Sequence, residues 1–193
     1  MAHQIQIGYT VPDTRTTHVR GLFHASGATG KKVKALHMVD VYTFDMHLTQ
    51  SELRKIASVL HTPLIQTYTI DGAERNVKFS YALEIGFLPG VTDNVGATAR
   101  ETVSDTLRRK LTDDERVYSS RMYYVDTTLS RDELSLLAKS LYNPLIERCT
   151  VRTYKEVLKN FEIIVPKVTL SGKKGEVSTV NLEIEDSELV VLG

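Results

Sequence analysis

The chain carries the same message twice. Residues 48–70 align with residues 129–151 without a gap. Leu48, Glu52, Leu53, Ala57, Leu60, Pro63, Leu64, Ile65 and Thr69 meet Leu129, Glu133, Leu134, Ala138, Leu141, Pro144, Leu145, Ile146 and Thr150. Upstream, Tyr42 meets Tyr123 and Asp45 meets Asp126 in the same register. Chance would supply about one or two identities over such a span. With a shift of register, Ile7-Gly8-Tyr9 also matches Ile85-Gly86-Phe87. The 193 residues therefore divide into two related halves. A half of about 80 residues buries only a modest core, and two halves packed together do better.

Each half shows the same order of elements. Residues 4–10 alternate, with Ile5, Ile7 and Tyr9 on one face, and residues 81–87 do so through Tyr81, Leu83, Ile85 and Phe87. Both patterns predict strands. A helix follows. In the second half Val95, Ala99, Thr102, Val103, Thr106 and Leu107 fall on one helical face, with Asp93 or Asn94 as N-cap and Pro89-Gly90 turning the chain beforehand. Strands are next expected over 36–46 and 117–127, which are rich in Val, Tyr and Phe. Second helices open at Thr49-Gln50-Ser51-Glu52 and Ser130-Arg131-Asp132-Glu133. Both are capping boxes, in which the hydroxyl accepts from an orphan amide while the Glu reaches back. Pro63 and Pro144 stop these helices, and third strands are expected over 64–70 and 145–151.

The fold class is thus α+β: two tandem β-α-β-α-β units with helices on one face. The second sheet face and the sheet edges need a partner. A pseudo-twofold pair of the two units, sheet against sheet or edge to edge, supplies one. Repeat 1 spans 1–78, repeat 2 spans 79–157, and 158–193 reads as a linker and the start of a following domain. In that tail 161–166 and 168–170 read as short extended pieces, and 171–176 is polar. The apolar 189–193 follows a helix start at Asp186 or Ser187, which reads as a chain cut from something longer.

Composition removes several functions. Twenty-four basic and 24 acidic residues give zero net charge, without the basic excess that phosphate neutralisation requires. No nucleic-acid partner is expected. No run of 18 apolar residues spans a membrane, and the N-terminus lacks a signal-peptide pattern. The single cysteine, Cys149, precludes an intrachain disulfide framework and fits a reducing, cytoplasmic location.

No constellation rises to a catalytic site. The stretch Ser26-Gly27-Ala28-Thr29-Gly30-Lys31-Lys32 departs from the phosphate-loop pattern, because Ala25 and Lys32 stand where Gly and a hydroxyl residue are needed. It reads as a helix-to-strand connector. The six histidines form no zinc pattern. Cys149 lies mid-strand, without the helix N-terminus or base that lowers a thiol pKa, and its repeat partner is Tyr68. Asp45 and Asp126 match across the repeat near strand ends, as exposed acids do. Tyr118, Tyr123 and Tyr124 read as strand packing, since no basic groove accompanies them. Catalytic, cofactor and metal residues are all expected to be none.

One stretch carries a more specific signal. Ile85-Gly86-Phe87-Leu88-Pro89-Gly90-Val91-Thr92-Asp93-Asn94-Val95-Gly96, taken with Asn143-Pro144-Leu145-Ile146-Glu147, resembles the PurS-like unit of phosphoribosylformylglycinamidine (FGAM) synthase. There a strand leads into Pro-Gly-Val-x-Asp-x-x-Gly and a helix, and the unit closes on Asn-Pro-Leu/Val-Ile. The resemblance covers residues 3–155 and, more weakly, the tail, as in the tandem N-terminal region of a large, single-chain synthase. The first half departs from the pattern. It has Val11-Pro12-Asp13-Thr14 in place of the Pro-Gly-Val turn, and Thr62 in place of Asn.

The resemblance implies antiparallel sheets and a pseudo-twofold pair that mimics a PurS dimer. It implies a role in purine synthesis, within a C–N ligase that uses ATP and glutamine to amidate formylglycinamide ribonucleotide. ATP and Mg would be held by synthetase domains, and ammonia released by a glutaminase. The PurS-like part brings no catalytic side chains. It bridges synthetase and glutaminase and helps order the ammonia path. Pro89, Gly90, Val91, Asp93, Asn143 and Pro144 are the expected partner-interface residues. A rival reading is a stand-alone ACT-like regulatory module that binds small molecules between its copies, supported by fold-level analogy alone.

Overall fold

The computed structural model describes residues 2–73, 77–159 and 161–167. The first half runs β1 (His3–Tyr9), α1 (Thr14–Ala25), a 3-10 turn (Gly30–Lys32), β2 (Val33–Asp45), α2 (Gln50–Leu60) and β3 (Gln66–Ile70). The second runs β4 (Tyr81–Phe87), α3 (Asn94–Leu107), β5 (Arg116–Thr127), α4 (Arg131–Ala138) and β6 (Glu147–Thr153), followed by the short α5 (Tyr154–Lys159). The class is α+β, as the periodicities predict, and the sheet is wholly antiparallel, as the PurS-like resemblance implies.

The two halves share one sheet, in the order β3-β1-β2-β5-β4-β6. They are joined edge to edge rather than face to face. β2 pairs with β5 from Val33↔Thr127 to Asp45↔Arg116. At the centre Asp40 faces Arg121, and these are also equivalent positions of the repeat. Met38 pairs with Tyr123 and Tyr42 with Ser119, two pairings that the repeat exchanges. A local twofold axis therefore passes through the Asp40–Arg121 pair, and joining there leaves each half only one open edge.

The helix-covered face holds two cores, each drawn from both halves. One joins Val19 and Phe23 of α1 to Leu134, Leu137 and Ala138 of α4 over Met38, Leu83 and Tyr123. The other joins Leu53, Ile56 and Ala57 of α2 to Ala99 and Val103 of α3 over Ile5, Ile7 and Phe44. Neither half can lose its helices without opening the core of the other. The opposite face is not covered by a second copy of the unit. Val39, Val41, Ala82, Met122 and Tyr124 pack there beneath Phe79 of the β3–β4 link and Val157 of α5. Polar side chains on this face satisfy one another: the Tyr124 hydroxyl donates to Gln6 Oε1 (2.6 Å) and Gln6 Nε2 to Gln4 Oε1 (3.0 Å). Buried Glu84 accepts from Arg152 Nη2 (3.1 Å) and from the Ser120 hydroxyl (2.9 Å). Such groups are tolerated in a core only when paired in this way.

Local signals held where side chain and backbone cooperate. Both capping boxes form, and Asp93 is the N-cap of α3. A third box went unread: Thr153-Tyr154-Lys155-Glu156 repeats the pattern, and its hydroxyl and carboxylate cap α5. The 3-10 turn confirms residues 26–32 as a connector. Three expectations need correction. Val95 stands 54% exposed, so it lies off the buried face of α3 that Ala99 and Val103 form. The third strands begin at Gln66 and Glu147, so the Pro-Leu-Ile segments are turns rather than strand starts, and α4 stops at Ala138, well before Pro144. Residues 161–166 form no strand. The expected extended piece at 168–170 and the expected helix start at 186 or 187 lie outside the described residues.

Candidate functional site

The six residues singled out from the sequence come from two separate stretches, and the sheet brings the stretches together. Leu88 N donates to Ile146 O (2.9 Å), which holds the Pro89-Gly90-Val91 turn against the Asn143–Ile146 turn. Gly90 has φ +87° with open space where a side chain would stand, so the turn asks for glycine by conformation alone. Asn143 organises its own turn. Its carbonyl accepts from Ile146 N (3.1 Å) and Glu147 N (2.8 Å), and its Oδ1 from Leu145 N (3.1 Å). Asp93 fastens α3 to the sheet: Oδ1 accepts from Gly96 N (2.7 Å) and the Ser119 hydroxyl (2.8 Å), and Oδ2 from Ser119 N (2.5 Å). Pro89, Gly90, Val91 and Asp93 border one small pocket with Arg148, Ile164 and Pro166. Lys167 pairs with Asp45 (2.8 Å), so residues 164–167 run along the same end of the molecule.

The equivalent end of the first half repeats this frame. Thr10 N donates to Ile65 O (2.9 Å) and Ile65 N to Thr62 O (3.1 Å). Both Pro-Leu-Ile turns project their leucines into solvent, with Leu64 90% and Leu145 83% exposed. The identity of these leucines across the repeat therefore has no explanation in core packing. The molecule carries two apolar tips, one at each edge of the sheet.

A second concave region lies beside the twofold axis, mostly on the second half, and sequence reasoning missed it. A cleft of about 250 Å³ is lined by Asp40, Tyr42, Ile85, Val95, Arg121 and Glu147, among others. Asp40 and Arg121 face one another across β2 and β5, yet each pairs within its own half. Arg15 Nη1 donates to both Asp40 oxygens (3.0 Å each), and Arg121 Nη2 donates to Glu147 Oε1 (2.8 Å). Burial lowers the Arg15 pKa, but its bonds to Asp13 and Asp40 outweigh that and hold the guanidinium above its usual value. Burial first, and the neighbouring Asp40 and Asp93 carboxylates next, raise the Tyr42 pKa. Burial likewise raises that of Tyr123. Both phenols are therefore neutral hydrogen-bonding groups at neutral pH rather than bases. The signal available in the sequence was the repeat alignment itself, which sets an acid, Asp40, on a base, Arg121.

The remaining candidates take ordinary places. Cys149 sits mid-strand in β6, half-buried, and burial pushes its thiol up to about 11, far from a reactive thiolate. His24 Nε2 lies 3.1 Å from Val33 O, tying α1 to the start of β2, and His61 Nδ1 lies 2.6 Å from Ala57 O, closing the last turn of α2. Among the described residues no group of three or more His, Cys, Asp or Glu side chains is placed to hold a metal ion. No described helix is long and apolar enough to cross a membrane.

The fold is that of a duplicated α+β unit closed into one antiparallel sheet. No family model and no curated protein matches the chain. Among solved structures, it is similar at 12% identity to a protein described as a glycine cleavage system transcriptional repressor. That match covers 79% of this chain and 97% of the other, with a TM-score of 0.19.

Proposed function

We propose that this chain is the non-catalytic PurS-like part of FGAM synthase, a cytoplasmic ligase, where it bridges synthetase and glutaminase and helps order the path of ammonia. The observation that carries the reading is the meeting of the two motif stretches. Pro89-Gly90-Val91 and Asn143-Pro144 are far apart in sequence and become one surface through the Leu88–Ile146 hydrogen bond. Two further features support it. Leu145 projects from that surface as an exposed apolar anchor, of the kind that protein interfaces bury at their centres. Residues 164–167 pack beside the same turn, so the motif surface continues onto the segment after repeat 2. In this reading ATP and Mg belong to the synthetase, the nucleophilic cysteine to the glutaminase, and no chemical step to the residues described here.

The test is reconstitution. A synthetase and glutaminase pair lacking this region is assayed for amidine formation with glutamine and, separately, with ammonium salt as nitrogen source. Adding residues 1–193 should raise the glutamine-dependent rate, leave the ammonium-dependent rate unchanged, and give a co-eluting complex. Unchanged glutamine dependence together with separate elution overturns the proposal.

A further inference from the structure

The bridging role leaves one charged side chain unused. Arg148 lies half-buried on β6. It stands four residues before Arg152, so the two share the sheet face opposite the helices. Arg148 pairs across the sheet with Gly86. A Cβ on Gly86 would stand 3.6 Å from Arg148 Nη2, so the guanidinium lies over the bare backbone of that glycine. The equivalent residue of the first half is Thr67, so only the second half carries a cation here.

Buried donors are normally bonded and buried charges normally paired. Arg148 departs from both rules. Its Nε is buried and has no hydrogen-bond partner. Nη1 makes one long bond, 3.4 Å to the Thr150 hydroxyl, and Nη2 makes none among the described residues. The nearby carboxylates are committed elsewhere. Glu84 accepts from Ser120 and Arg152, and Asp93 from Gly96 and Ser119. Arg152 also has an unbonded Nε, but its outer nitrogens reach Glu84 and Glu162 O (2.7 Å). β4 and β6 thus bring two arginines to this face against one glutamate, and Arg148 is the one left over.

Arg148 borders the small pocket beside the Pro89-Gly90-Val91 turn, together with Thr43 and Tyr118. The Thr43 oxygen accepts from Gln4 Nε2 (3.4 Å), which leaves its O–H to donate. Burial raises the Tyr118 pKa, so the phenol keeps its proton, and it makes no hydrogen bond among the described residues. Guanidinium, phenol and hydroxyl all have hydrogens to give, which asks for an anion. The pocket volume is about 30 Å³, room for about two water-sized atoms. That suits the two oxygens of a carboxylate and is too small for phosphate. A wider groove of about 590 Å³ shares Gly90, Val91, Tyr118 and Pro166 with the pocket, and it leaves space for whatever carries the acid.

We infer that this pocket binds a single carboxylate group on the outer fork of Arg148, with Tyr118 as a second donor. No covalent step is involved. The carboxylate supplies the counter-charge that the half-buried guanidinium lacks, in the paired geometry that a fork of N–H groups offers. Its carrier is either a free short-chain acid or an Asp or Glu side chain of a docked protein segment, and the recognising chemistry is the same for both.

The inference does not rest on the bridging role. Backbone-amide NMR of the 193-residue chain tests it, with sodium acetate titrated against sodium chloride at equal ionic strength. Acetate should give saturable shifts clustered at Gly86, Gly90, Ser120 and Arg148, with a dissociation constant in the millimolar range, and chloride should not. Arg148→Gln should abolish these shifts. Arg148→Lys keeps the charge without the fork and should weaken binding by about tenfold, which keeps the test valid if Arg148→Gln disturbs folding. Tighter binding of N-acetyl-aspartyl amide than of acetate assigns the site to a protein side chain, and weaker binding assigns it to a free acid. Absence of saturable shifts with both acids, equal shifts with chloride, binding that survives both Arg148 variants, or inorganic phosphate bound more tightly than acetate overturns the inference.

Discussion

The two halves cap the same helix in different ways. α1 and α3 both start at an aspartate after the first strand. Asp13 accepts from Arg15 N (2.9 Å) and from the Arg15 side chain, which continues to Asp40. Asp93 instead turns into the sheet and takes three donors from Gly96 and Ser119. The second half draws α3 so close that a Cβ on Gly96 would stand 2.5 Å from Asp93 Oδ2 and 2.6 Å from Val117 O. The first half has Thr16 at the same helical position. One fold is thus held by an ion pair in one copy and by a tight backbone approach in the other. Only the second copy keeps the Pro-Gly-Val turn and Asn143. The difference separates what a repeat needs in order to fold from what one copy keeps for another purpose.

The largest effect is expected where the copies are alike. Leu53 and Leu134 are equivalent and fully buried, so Leu53→Ala and Leu134→Ala should each cost about 3 kcal/mol. Because both cores mix the halves, denaturant unfolding followed by two probes should remain a single transition in either variant. Two separated transitions would break the picture of one cooperative sheet. Next comes the unlike pair. Gly96→Ala should cost about 2–3 kcal/mol by overpacking, whereas Thr16→Ala should stay within about 0.5 kcal/mol. Equal losses in urea titration would mean that the approach of α3 is no closer than that of α1.

A smaller effect concerns acid. Glu52 and Glu133 are held below the usual carboxylate range, first by the backbone N–H of the cap residue and then by its hydroxyl. A depressed folded pKa gives stability that is complete above the unfolded value of about 4.3 and is lost as pH falls through the folded one. Melting temperatures measured through that window should fall for the parent chain. They should fall less steeply for Glu52→Gln and Glu133→Gln, since glutamine keeps the box without titrating. A flattening confined to one half would show that the boxes are not equivalent. The smallest effect on stability belongs to the apolar tips. Leu64→Asp and Leu145→Asp should each shift stability by no more than about 0.5 kcal/mol. The Leu145 variant alone should lose co-elution with the synthetase and glutaminase. Loss in both variants would show that the first half also meets the partner, and loss in neither would remove Leu145 from the interface.

The sequence by itself determined the duplication, the strand–helix order, both capping boxes and the α+β class, and it narrowed the α3 cap to Asp93 or Asn94. These follow from short-range rules: period-two and period-3.6 alternation, and side chains that bond backbone within a few residues. Pro-Leu-Ile was legible as the end of α2 but not of α4, which stops at Ala138, and not as an exposed turn, because an apolar run says nothing about which side of it meets water. Likewise Val95 matched the helical period of α3 and yet faces solvent.

Only the tertiary structure decided how the halves join. The sequence left face-to-face and edge-to-edge pairing equally open. The choice rests on the long β2–β5 ladder and on the link and α5 covering the opposite face, contacts between residues distant along the chain. The cleft beside the axis and the facing of Asp40 and Arg121 depend on that junction, and the meeting of Pro89-Gly90-Val91 with Asn143-Pro144 depends on the β4–β6 pairing. No local rule reaches them, because each is a relation between strands that become neighbours only when the sheet closes.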